Sequence, residues 1–183
     1  GDAAMAVDPL SGNGIFQALS SALQAPAVVA TLRHDPSRAE LAQQFHTRRI
    51  EHLFHRFARI GRDFYAQEAR WPQAPFWAAR RGWPDAAPLH AAVTPEAVRV
   101  ARGPVVCEGR IIEEDVVVTP DQPLGVWQVD GLVVAPMLAA LRSDGRNVLD
   151  KGQREALLCG RFGLEPARAA ALLVWMQAQN WLV

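Results

Sequence analysis

Between Ile15 and Leu32 the large apolar residues Ile15, Leu19, Leu23, Val28, Val29 and Leu32 recur at helical spacing, the pattern of a helix that turns one face to a core. Pro26 falls inside this stretch, where a missing N–H and a ring clash predict a kink or a restart. "HDPSR" closes it and offers Asp35 or Ser37 as a cap for the next element. A long amphipathic helix is predicted from Ser37 to Ala69. Leu41, Phe45, Ile50, Leu53, Phe54, Phe57, Ile60 and Phe64 fall on one side, and Arg48, Arg49, Glu51, His52, Arg56, Arg59 and Asp63 on the other. The next stretch, "WPQAPFWAARRGWPDAAP", holds three of the six tryptophans and four prolines. It reads as a loop held by aromatic anchors and as a boundary between two lobes.

Further on, the pattern shortens to β-type pieces at 98–100, 105–107, 111–112, 116–118 and 125–129. Three helical segments end the chain, at 133–141, 150–162 and 166–180, with Gly163 placed as a residue just past a helix C-terminus and Pro166 in a first turn. Strands followed by three short helices form a winged-helix-like pattern. The fold class expected is therefore α+β, mostly helical.

Half of the 183 residues are apolar, 21% are charged and the formal net charge is zero, a composition of globular domains rather than disordered chains. That balance gives no general attraction to nucleic acid or anionic membranes. Cys107 and Cys159 are too few and too far apart for a disulfide framework or a zinc cage, and read as reduced packing thiols. No uninterrupted apolar run approaches the roughly 18 residues of a membrane span, and no basic leader with a short apolar stretch opens the chain. The expectation is a cytoplasmic protein without a membrane span.

The first nineteen residues, "GDAAMAVDPLSGNGIFQAL", carry the main chemical signal. A turn rich in glycine leading into a helix sets backbone N–H groups and the positive helix end at a surface lacking Cβ atoms, where a flat anionic or carbonyl-bearing group can approach. A dinucleotide-binding G-x-G-x-x-G turn is one possible source of the pattern, and Asp35 lies at the spacing its acid needs. Gln17 replaces the third glycine, however, and a long helix stands where a second strand is required. That identification fails.

With Gly1, Asp2, Ala3, Ala4, Asp8, Pro9, Gly12 and Gly14 in place, the segment resembles the second flavin-contacting stretch of FAD-dependent monooxygenases of the hydroxybenzoate-hydroxylase fold, closest to their tryptophan-halogenase-like and reductase-like relatives. "RDFYAQEARWPQAPFW" at 62–77 also resembles halogenase-like members, some of them linked to maturation of peptide-derived quinone cofactors. The two stretches cover the first 80 residues or so. The resemblance implies FAD as cofactor, bound by Gly1, Asp2, Pro9, Gly12, Asn13, Gly14 and Ile15. Asp2 would hold a ribityl hydroxyl, the Pro9 and Gly12–Gly14 turn would lie on the isoalloxazine, and the helix starting near Ile15 would face its pyrimidine edge. It implies residues 1–80 as the C-terminal segment of a GR2-type FAD/NAD(P)-binding domain and 81–183 as a small lobe with short strands and the winged-helix-like tail. The strand, glycine turn and helix that hold the ADP half of FAD in that family have no counterpart here, so the expectation is the C-terminal part of a longer flavoprotein, inactive alone. The parent would oxygenate a small aromatic or peptide-borne substrate, with NAD(P)H or a reductase as electron donor. Catalytic residues are not identified.

Other constellations are weaker. Glu51, His52 and His55 in "EHLFH" lack the H-E-x-x-H order and a third ligand, so no metal site is expected. Neither cysteine has an adjacent base to make it a nucleophile. Trp71, Trp77 and Trp83 suit either a pocket for a planar substrate or anchors of a loop. The tail resembles the winged-helix modules that clasp leader peptides, and with Arg168 the only cation in its last helix it is a poor match for phosphate contacts, so no nucleic-acid partner is expected. Two alternatives to an oxygenating enzyme stay open: a peptide- or protein-binding module in which the flavin segment is a relic, and a flavin-dependent double-bond reductase.

Overall fold

The computed structural model describes residues 3–9, 12–142 and 149–182. The chain is α+β and mostly helical. Its elements are α1 (Gly14–His34), α2 (Ala39–Ala66), α3 (Pro75–Arg81), β1 (Arg99–Cys107), β2 (Arg110–Val118), β3 (Gln128–Val129), β4 (Leu132–Val133), α4 (Val134–Arg142), α5 (Lys151–Phe162) and α6 (Pro166–Ala178). They divide into two compact units, Gly1–His90 with Pro104–Glu113 and Ala91–Gly103 with Glu114–Val183.

The first unit is built on α1 and α2. Pro26 sits inside α1, which continues through it without restarting. The orientation of α1 is the larger correction. Its periodic apolar residues were expected in a core, yet Ile15 is 78% exposed, Leu19 62%, Leu23 81% and Val29 60%, while Gln17, Ala27 and Thr31 are buried. The side of α1 facing α2 is the one with small and amide side chains. These allow close approach: Ala27 and Ala42 pack with Ile111, flanked by Val28, Leu41, Phe45 and Val106. Thr31 settles the polar groups there. Its Oγ1 donates to the Ala27 carbonyl at 2.7 Å and accepts from the Ile111 N–H at 2.8 Å, so the Ile111 N–H is paired within that core.

Asp35 and Ser37 do not cap α2 as predicted. They bond each other at 2.5 Å, and Asp35 pairs with Arg38, around a short 3₁₀ turn at Pro36–Arg38. Averaged over a window of α1, mean hydropathy reaches 1.4, which makes this helix long and apolar enough to cross a membrane by length and composition, with 22% of the window buried. The sequence reading by uninterrupted runs did not register it, because Gln17, Ser20, Ser21, Gln24 and Thr31 break the runs. Gln17 and Thr31 are buried against protein, and Ser20 bonds Arg49 of α2, so the polar side of this helix packs on protein.

The second unit holds a core of Val98, Val117, Val134, Leu138, Leu158, Leu172, Leu173, Met176 and Trp181. Along the chain, two hairpins replace the separate short strands predicted. β1 and β2 turn at Glu108–Gly109, and β3 and β4 at Asp130–Gly131, with left-handed φ at all four positions (47°, 71°, 49° and 74°). That is the geometry of a two-residue turn matched to strand twist. The β3–β4 register pairs Gln128 with Val133 and Val129 with Leu132. The three tail helices appear where the periodicity set them. Asp150 and Gln153 form a reciprocal capping box on α5, Gly163 ends it at φ 65°, and Pro166 opens α6. Arg142, at the end of α4, donates to the Val98, Pro95 and Trp181 carbonyls at 2.6 to 2.8 Å and ties Trp181 to this core.

Candidate functional site

The glycine turn forms as a compact structure at the head of α1. The Gly12 N–H donates to the Pro9 carbonyl at 3.1 Å, Gly12 adopts φ +65°, and the Asn13 carbonyl accepts the Gln17 N–H at 2.9 Å to begin the helix. Asn13 occupies the N-cap without its side chain bonding the first-turn amides, and no acid lies in that turn. The positive end of α1 is therefore not neutralised by its own first turn. A Cβ built on Gly12 would meet nothing within 4 Å, and one on Gly14 would reach only the Val7 side chain at 3.8 Å. Among the described residues, nothing fills the space where the Gly12 Cβ would stand. Of the predicted cofactor residues, Pro9, Gly12, Asn13, Gly14 and Ile15 lie together here, while Gly1 and Asp2 lie outside the described residues.

Behind the turn is a cleft of about 470 Å³ between the extended Met5–Val7 segment, α1 and α2. Gly14, Ile15 and Gln17 line it from α1; Phe45, His46 and Arg49 line it from α2. Gln17 is 7% exposed, and its Oε1 and that of Gln24 are buried without a hydrogen-bond partner among the described residues. Arg49 donates to Ser20 Oγ at 2.8 Å, and burial lowers its pKa. The polar stripe Gln17, Gln24 and Thr31 repeats every seventh residue. Sequence reasoning met Gln17 only as a missing glycine, although a polar residue repeating at helical spacing inside an apolar stretch is a readable sign of a second face.

A second cleft, of about 380 Å³, opens on the other side of the Ala6–Asp8 segment and is lined by Phe54, Phe57, Arg62, Tyr65, Arg80 and Trp83 among others. The Tyr65 hydroxyl donates to Asp8 Oδ2 at 2.7 Å. That bond and the carboxylate charge beside it raise the Tyr65 pKa, so the phenol stays protonated and fastens the turn segment to α2. Neither residue was singled out for this role from sequence, since 57 positions separate them.

The proline-rich stretch contains α3, which the loop reading missed. Trp77 and Phe76 meet edge to face, both contact Tyr65, Trp71 stacks on Trp77, and the Arg80 guanidinium lies 3.7 Å from the Phe76 ring centroid. Trp77 is thus the half-buried anchor among these rings, whereas Trp71, stacked on it with the Arg70 guanidinium 4.5 Å from its own ring centroid, and Trp83, which contacts Phe54 and lines the second cleft, are each about half exposed. Beyond α3, Arg59 grips Asp85 with two hydrogen bonds of 2.8 and 2.9 Å, and Arg62 donates to the Asp85 and Ala87 carbonyls. The Arg59 hydrogen bonds hold the Asp85 carboxyl down at about 2. Among the described residues no group of three His, Cys, Asp or Glu side chains is placed to hold a metal. Cys107 and Cys159 are free thiols, each half-buried.

No protein-family model matches this chain, and no curated protein matches it. A solved structure does. The chain is similar over 100% of its length, with 54% sequence identity and a TM-score of 0.78, to the peptidyl tryptophan dihydroxylase QhpG, described as essential for tryptophylquinone cofactor biogenesis. The chain spans 40% of that protein's length.

Proposed function

We propose that this chain is the flavin-edge and substrate-side portion of an FAD-dependent monooxygenase that oxygenates a tryptophan carried on a peptide. The observation that carries the proposal is 54% identity to a peptidyl tryptophan dihydroxylase along the entire chain. Bound FAD supplies the O₂-dependent oxygenation chemistry. The residues of this chain bind and orient. Pro9 and the Gly12–Gly14 turn take the face of the isoalloxazine, and the α1 N-terminus, with Ile15 in its first turn, stabilises negative charge at the pyrimidine edge without reorganisation. Asp2, with Gly1 beside it, accepts a hydrogen bond from a ribityl hydroxyl. In this reading the first unit is the end of a GR2-type FAD/NAD(P)-binding domain, and NAD(P)H or a reductase delivers electrons. The reaction takes place in the cytoplasm, and the chain alone is inactive. Halogenation and double-bond reduction have no support comparable to the dihydroxylase match.

A peptide-binding role for the second unit is compatible with this and has its own observation. A groove of about 360 Å³ runs between β3–β4 and α6, lined by Val129, Leu132, Leu172 and Trp175 with Asp130 and Arg168 at its rim. An apolar groove with a charged rim suits a peptide that lays apolar side chains along it.

The test is the complete product of the gene. It is expected to purify yellow, and the Asp2→Ala variant to retain several-fold less flavin by absorbance. With an electron donor and O₂ it should add oxygen to tryptophan in a substrate peptide, read by mass spectrometry. A colourless, flavin-free product that still binds the peptide would overturn the enzyme reading and leave the binding module.

A further inference from the structure

The outward face of α1 is apolar from end to end. Ile15, Leu19, Leu23, Pro26 and Val29 fall along one side of the helix, at steps of three or four residues, and no charged residue occurs from Gly14 to Leu32. The four large ones are 60 to 81% exposed. From Ile15 to Val29 the stripe runs about 21 Å, so at about 10 Å wide it amounts to roughly 200 Å² of contiguous apolar surface, a continuous patch rather than scattered surface residues. The opposite face buries the side chains of Gln17 and Thr31 and the Oε1 of half-buried Gln24. A helix that buries amides and exposes leucines has its stronger apolar contact still to make.

We propose that this face is the docking surface for the larger share of a longer protein, the share that QhpG possesses and this chain does not span, and that docking there roofs the cleft beside the glycine turn. The inference rests on the reading above that the chain works within a longer protein. The occupant is inferred from two facts together: a relative 54% identical along the entire chain carries a further segment larger than this one, and the uncovered stripe starts at Ile15, which also lines the 470 Å³ cleft. Whatever covers Ile15 and Leu19 closes that cleft on its α1 side, so the site next to Gly12–Gly14 is completed by the docked partner rather than by this chain.

Maleimide labelling of a Leu23→Cys variant, followed by peptide mapping to separate the introduced thiol from Cys107 and Cys159, reads the surface directly. The position is 81% exposed, so the substitution leaves the fold intact. In this chain alone the introduced thiol is expected to label rapidly. In the complete gene product it should label at least tenfold more slowly, and Leu19→Arg with Leu23→Arg should restore fast exchange of α1 amides in hydrogen–deuterium exchange. Equal labelling in both contexts overturns the proposal. So does protection in this chain alone with a dimer in sedimentation, which assigns the face to a second copy, or protection that appears on adding phosphatidylcholine vesicles, which assigns it to a membrane. Flavin absorbance of the same complete product is scored separately, so protection without colour leaves the docking surface standing and removes the flavin reading.

Discussion

Val116 shows how narrowly single residues are constrained. It is 2% exposed, and glycines stand on two sides of it: a Cβ at Gly103 would come within 2.9 Å of its Cγ2, and one at Gly125 would overlap its Cβ and Cγ2. Gly125 also sits at φ +86°, a conformation other residues adopt only with strain. Gly125→Ala is therefore expected to destabilise the second unit by roughly 2 kcal/mol through overlap and backbone strain combined. Gly103→Ala, free of the φ penalty, should cost less; the order of the two urea midpoints checks this. The candidate site divides on the same line. Gly12, Gly14, Pro9 and Asn13 were legible in the sequence because turn chemistry is local: the residues that form the turn adjoin one another. Asp8 with Tyr65 was not, because their bond joins a turn to a helix 57 residues later, and nothing in either neighbourhood announces the other.

At the scale of elements, start and stop signals held where the cap is itself the contact. Gly163 and Pro166 end α5 and open α6 as their types require, and the Asp150–Gln153 capping box that starts α5 is added by the structure. Signals failed where packing competes. Pro26 was absorbed into α1, and α3 formed within a stretch dense in proline because Pro75 sits at its first turn, where a missing N–H costs nothing. Glu108-Gly109 and Asp130-Gly131 mark the turns of the two hairpins, whereas the short apolar pieces on either side carry no sign of which pairs with which. The clamp between α2 and the stretch after α3 carries a pH dependence with a definite sign. Arg59 lowers the Asp85 carboxyl to about 2 from an ordinary 3.8, so the native state favours the ionised form. Its contribution is complete above the unfolded value and is lost as pH falls from about 4 towards about 2. Asp85→Asn should flatten that part of the acid unfolding curve followed by near-ultraviolet circular dichroism, and Arg59→Gln should do the same.

Across the whole molecule the two units rest on different supports. The second has a continuous apolar core closed by Trp181, which is 1% exposed and meets Trp175 edge to face at 4.9 Å. Trp181→Ala is expected to cost about 3 to 5 kcal/mol. A deletion from residue 181 onward should cost more, since it also removes Leu182, packed against the same core, and the Trp181 carbonyl bonded by Arg142. Tryptophan emission and thermal unfolding of the two variants test this. The first unit has a smaller core, centred on Ala27, Ala42 and Ile111, and the exposed stripe of α1 is the counterpart of that scarcity: apolar surface it possesses but does not bury.

The sequence by itself determined that helices, short strands and a glycine turn exist, and where the tail helices end, because caps, turn glycines and periodicity act over a few residues. It also contains, in its spacing, the two chemically different faces of α1. Which face turns inward was decided only in three dimensions. Periodicity measures contrast around a helix, but direction depends on the partner. Here α2 offers a surface that small residues and amides can approach closely, leaving the leucines of α1 for something else.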